Sequence, residues 1–167
     1  MLPLKQANRK NVTFLSSPLA LLVLSACGSG GGGGVSAPAS FSVGGSVVKG
    51  PLSNALVGLD YDGDGVVDSA TVRTNADGSY SLTTSNTSYT VIAVSDDSTI
   101  DASSGAVMSG ITLKAPKGAS VVTPTTTLIE EASLTKEQVA EVLGLPDGVD
   151  PLTFNPYAAG VDAAVNF

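Results

Sequence analysis

Two places in this sequence carry side chains whose type and spacing could do chemistry. The first is Asp60-x-Asp62-x-Asp64-Gly65-x-x-Asp68. It puts carboxylates at positions one, three, five and nine of a cation-wrapping loop, with glycine at position six. Such a loop suits a hard divalent cation that takes only oxygen ligands, Ca²⁺ above all. Alternate residues project inward, Gly65 allows the sharp turn, and the Val66 carbonyl at position seven can ligate. Thr71 stands at position twelve, where a bidentate glutamate would complete the set. The missing ligand is then expected from water, another carbonyl, or a more distant carboxylate such as Asp77 or Asp101. An affinity of roughly 10⁻⁴–10⁻³ M follows, and the ion's role would be structural. Without an ion, four carboxylates held close would repel one another. The second place is Cys27, the one thiol in the chain.

Composition removes several other chemistries. The 167 residues include no His, no Trp and a single Cys. No disulfide can form within the chain, no Cys/His metal cluster can be built, and no His-dependent catalytic unit is available. Lys and Arg number 8 against 15 Asp and Glu, and three of the eight (Lys5, Arg9, Lys10) fall in the first ten residues. The remainder is strongly acidic, so it repels phosphate backbones and excludes nucleic acid as a partner. Glu130-Glu131 and Glu137/Glu141 read as solvated helix faces rather than a catalytic pair. With no nucleophile or general base nearby, the chain is expected not to be an enzyme.

The elements that must position the acidic loop read as short strands between tight turns. Phe41 to Lys49 is a first strand, and Gly50 to Asn54 a turn. Ala55 to Asp60 leads into the loop, and Thr71 to Thr74 leads out of it. Asn75-Ala76-Asp77-Gly78 predicts a hairpin turn. Ser79 to Thr83 follows, with Tyr80 and Leu82 on one face. Tyr89 to Val94 is a near-continuous apolar strand and is expected at the centre of a sheet. Val107 to Leu113 and Ala119 to Val122 complete about seven strands of a small antiparallel β-sandwich. Thr123 and Pro124 then suit the N-cap and first position of a helix with Leu128, Ile129 and Ala132 on its apolar stripe. Thr135 and Gln138 form a capping box for a second helix, with Val139, Val142 and Leu143 on one face and Gly144 at its end. The predicted fold is mainly β, residues 41–123, followed by a short α-helical C-terminal segment, residues 124–167.

Residues 1–26 have a positive start and a broken apolar stretch from Val12 to Val23, too short for a comfortable ~20-residue bilayer span. Leu24-Ser25-Ala26-Cys27 resembles the bacterial lipobox. The resemblance implies an export signal over 1–26 and a diacylglycerol thioether on Cys27, the first mature residue. Two or three acyl chains, at about 0.8 kcal/mol per buried CH₂, would hold the chain on a lipid bilayer. Gly28 after the cysteine implies outer-membrane sorting in a Gram-negative host. The run Gly28 to Gly34 begins a flexible tether over residues 27–40.

Gly45-Ser46-Val47 through Val57, then the acidic loop, then Thr74-Asn75-Ala76-Asp77-Gly78-Ser79-Tyr80 resembles a prealbumin-like domain. That group includes carboxypeptidase regulatory-like modules and collagen-adhesin B-type repeats. It implies a non-enzymatic spacer, stalk or accessory module. The acidic loop itself looks like the Ca²⁺ loops of surface repeats and dockerin-type modules, because strands rather than helices flank it. The stretch from Ala119 to Leu128 resembles the helical segment that follows such modules in large bacterial surface proteins, which implies a fragmentary or minimal member. Two functions follow as expectations: a lipid-anchored structural or adhesion-type module of the envelope, or an accessory module that binds a protein or glycan partner.

Overall fold

The computed structural model describes residues 38–158. Among these residues, nine strands and two helices form in the order β1 (Phe41–Val47), β2 (Leu52–Ser53), β3 (Leu56–Asp60), β4 (Val72–Arg73), β5 (Ser79–Thr84), β6 (Thr90–Val94), β7 (Ile100–Asp101), β8 (Thr112–Pro116), β9 (Val121–Val122), α1 (Pro124–Ala132) and α2 (Lys136–Leu143). One sheet has the order β4-β3-β6-β8, a second β5-β1-β9, and β2 pairs with β7. The chain is a small β-sandwich followed by a short helical segment, the predicted class.

Alternation along the strands decides what is buried. Val43 and Val47 of β1, Tyr80 and Leu82 of β5, and Val122 of β9 point into the core. Val57 and Leu59 of β3, Val91 and Ala93 of β6, and Leu113 and Ala115 of β8 meet them from the other sheet. β6 lies between β3 and β8, as its near-continuous apolar run predicts. Ile92 on its other face is also buried, which explains why the run does not alternate. Gly45 lets the Tyr80 ring cross β1. A Cβ there would stand 3.1 Å from the Tyr80 hydroxyl and 2.5 Å from the Ser120 carbonyl oxygen. Burial first, and Tyr89 second, push the Tyr80 hydroxyl pKa up to about 12.

Several expectations need correction. Asn75 to Gly78 makes a tight turn, with Gly78 N–H donating to the Asn75 carbonyl at 3.0 Å, but it joins no hairpin. β4 belongs to the four-stranded sheet and β5 to the three-stranded one, so the turn carries the chain between layers. Residues 50–54 are not only a turn, since they contain β2, and β7 lies in a stretch with no strand pattern. The strand expected over Val107 to Leu113 sits later, at Thr112–Pro116, while Val107 makes one bridge to Ile100. β9 runs parallel to β1, so the sandwich is not wholly antiparallel.

The helices begin where their caps predict. Thr123 caps α1 in a reciprocal box with Thr126, and Thr135 caps α2 with Gln138. Gly144 closes α2 at φ 64°. α1 lies along the free edge of β8: Thr126 Oγ1 donates to the Lys114 carbonyl at 2.7 Å, and Lys114 N–H donates to Thr127 Oγ1 at 2.9 Å. An edge strand left bare would invite pairing with other chains. The expected stripes are narrower than periodicity suggests. Ala132 is exposed, and of the α2 stripe only Val139 is buried, Val142 being 71% exposed. No helix among the described residues is long and apolar enough to cross a membrane.

Candidate metal centre

The acidic loop leaves the end of β3 and returns onto the same strand. Asp68 and Ser69 N–H both donate to the Leu59 carbonyl, at 2.9 and 3.1 Å, and Leu59 N–H donates to Ser69 Oγ at 2.8 Å. Val67 on the returning arm lies directly over Gly58, where any Cβ would collide with it. The loop base is therefore fixed by the sheet, which limits how far its carboxylates can spread.

Within the loop each carboxylate accepts from the backbone. Asp60, 3% exposed, takes Gly63 N–H at 2.7 Å and Asp62 N–H at 3.2 Å on Oδ1, and Gly65 N–H at 2.8 Å on Oδ2. Asp62 Oδ1 accepts from Asp64 N–H at 3.1 Å, Asp64 Oδ1 from Val66 N–H at 2.7 Å, and Asp68 Oδ2 from Tyr61 N–H at 2.7 Å. Gly63 and Gly65 take φ of 81° and 85°, the left-handed turns that this wrapping demands. Burial pushes the Asp60 carboxyl up, but the N–H donors of Gly63, Gly65 and Asp62, and then the Lys114 charge, outweigh it. The net shift is downward, so Asp60 is held as the anion.

One carboxylate oxygen from each of Asp60, Asp62 and Asp68 converges with the others within 4.8 Å. Asp64 is not in this set, and its carboxylate turns to Val66 N–H. Val66 is on the exposed crest, its side chain 62% exposed. The suggested distant ligands do not join. Asp101 accepts from Ser103 in the strand pair with β2, and Asp77 accepts from Ser79 N–H in the inter-sheet turn. Thr71, at the twelfth position, packs toward Gly58. The arrangement offers three anionic oxygens, beside which carbonyls and water could complete an oxygen shell for a hard cation.

Lys114 is the residue that sequence reasoning missed. It is on β8, far along the chain, yet its Nζ would lie 3.4 Å from a Cβ on Gly65. The same ammonium pairs with Glu131 of α1 at 2.7 Å. A cation already beside the loop eases carboxylate repulsion and competes with a metal. No local sequence signal marks this meeting, because it depends on β8 pairing beside β6.

Asp60 is one of several carboxylates with lowered pKa. Asp96 is lowered by Arg73 and then Ser98, Asp101 by Ser103, Asp150 by Lys136, and Asp77 by Ser79. A lowered folded pKa adds stability that is present above the ordinary carboxylate value, about 4, and is lost as pH falls through the folded value. With no His in the chain, nothing comparable titrates between about pH 5 and 8. Urea midpoints are expected to be flat across that range and to fall steeply below about pH 4. A midpoint that drops between pH 8 and 5 would contradict this.

Cys27, the expected export signal and most of the expected tether lie outside the described residues, as do residues 159–167. No family model, no curated protein and no solved structure matches this chain.

Proposed function

We propose that this protein is a lipid-anchored, non-enzymatic envelope module, held at the outer membrane through acylated Cys27, whose prealbumin-like β-sandwich is stiffened by Ca²⁺. The observation that carries the calcium assignment is the convergence of Asp60, Asp62 and Asp68 on a loop fastened to β3. Three carboxylates on a fixed base attract a divalent ion more strongly than three on a loose turn, because they cannot relax apart. The ordering cost is already met in part by the backbone hydrogen bonds of the loop. The Lys114 charge beside the loop weakens the attraction, in keeping with the low affinity of extracellular calcium modules. The chain has no His to serve as a base beside the carboxylates, which supports a structural ion.

The anchor rests on the Leu-Ser-Ala-Cys run and the glycine tether behind it. Expressed in a Gram-negative host, the chain is expected to take up labelled palmitate and sediment with the outer-membrane fraction. Cys27→Ser should lose the label and leave that fraction. Palmitate incorporation that survives Cys27→Ser, or a wild-type chain found only in the soluble fraction, would overturn the anchor.

A further inference from the structure

Beside the start of α1 is an apolar groove of about 450 Å³, walled by Val48, Pro124, Leu128, Leu143, Leu145 and Phe154. That volume falls in the range of small-molecule sites, roughly 300–1,000 Å³. The groove also accounts for Leu143, which periodicity assigned to a packed helix stripe but which lies half-exposed at its rim.

One charged side chain lines it, Lys49. Of the five Lys and Arg among the described residues, Arg73, Lys114 and Lys136 are in ion pairs, and Lys117 donates to the Thr87 carbonyl. Lys49 has no such partner among the described residues. On a chain with almost twice as many acidic as basic residues, this unpaired ammonium gives an anion a favourable charge beside an apolar wall.

We infer that the groove binds a small amphipathic carboxylate, its alkyl chain along the apolar walls and its carboxylate on Lys49. The walls choose between an alkyl chain and a peptide. The Thr123 hydroxyl already accepts Thr126 N–H, which leaves Thr125 and Tyr157 as the other hydroxyl side chains among the described lining residues. A peptide backbone would bury amide groups with few partners, at a cost of about 1–3 kcal/mol each. A hydrocarbon chain needs none and gains about 0.8 kcal/mol per buried CH₂.

The test uses the full chain with decanoate and with decanol, each below its aggregation concentration, by isothermal titration calorimetry. Decanoate is expected to bind saturably, one per chain. Lys49→Gln, an exposed change, should weaken decanoate about three- to fivefold and leave decanol unaltered. Leu143→Asn at the rim, which removes apolar wall without adding charge, should weaken both, with the melting curve checking that the fold is kept. Removal of residues 159–167 should leave decanoate affinity unchanged. Absence of saturable decanoate binding, or equal loss of both ligands in Lys49→Gln, would overturn the inference. So would decanoate binding that appears only in the shortened chain, or an apolar peptide binding where decanoate does not.

Discussion

Asp60→Ala is expected to lower the unfolding free energy of the calcium-free protein by about 2–3 kcal/mol and to abolish its response to calcium. Asp60 is an acceptor for three backbone N–H groups, from Asp62, Gly63 and Gly65. Hydrogen bonds to a charged acceptor contribute about 1.5–3 kcal/mol each when buried, but these donors regain water on loss of the carboxylate, so the sum is discounted. Asp60→Asn should fall between, because its Oδ1 can keep two donors while its amide nitrogen cannot accept Gly65 N–H. Asp62→Ala separates the two roles. Asp62 holds a single exposed N–H, that of Asp64. Its loss should cost little without calcium yet remove one converging oxygen. Urea denaturation in chelator reads the first effect, and the same curves in calcium read the second. Equal, small losses for Asp60→Ala and Asp62→Ala in chelator would mean that Asp60 does not organise the loop.

Gly78→Ala is expected to destabilise by about 2–4 kcal/mol, from strain on both backbone and packing. Gly78 has φ 80°, and a Cβ there would lie 2.7 Å from the Val47 carbonyl oxygen and 3.2 Å from Leu52 N. These neighbours are backbone atoms of the sheet core and cannot step aside. Gly78's own carbonyl accepts Val47 N–H at 2.9 Å, so displacing the turn also breaks the seam between β1 and the crossing chain. Gly118→Ala is the matched control. Gly118 has φ 89° with nothing within 4 Å of the Cβ site, so it should show the backbone term alone, about 1 kcal/mol. A shift in urea midpoint no larger at Gly78 than at Gly118 would contradict the packing argument.

These two residues also mark what the sequence made legible and what it did not. Tyr80 and Leu82 alternate, and they face the core. Thr123-Pro124 and Thr135-x-x-Gln138 announce helices, and helices begin there. Such signals are local, set by neighbours within a few residues. Asn75 to Gly78 is a turn signal of the same kind, and the turn forms. Whether the flanking strands then pair with each other is decided by which partners win elsewhere. β5 pairs with β1 over Phe41–Ser46, and β4 stays on β3. The parallel contact of β9 with β1 and the approach of Lys114 to the loop are likewise products of long-range pairing. In the loop, spacing alone placed Asp60, Asp62, Asp64 and Asp68 together. Three of them converge, while Asp64 satisfies its own turn by accepting Val66 N–H. The helical period found a face on α2, but the helix touches the body at Val139 and leaves Val142 in solvent.

If Asp60, Asp62 and Asp68 hold calcium, thermal unfolding of the full chain must differ between calcium and chelator. At calcium tenfold above its dissociation constant, linkage gives about 1.4 kcal/mol of added stability. For a folded region of this size, that corresponds to a rise in melting temperature of about 4–8 °C. That rise is expected in the wild-type chain, with its loss in Asp62→Ala and no comparable rise with magnesium. An unchanged melting temperature in millimolar calcium, or an equal rise in Asp62→Ala, would contradict it.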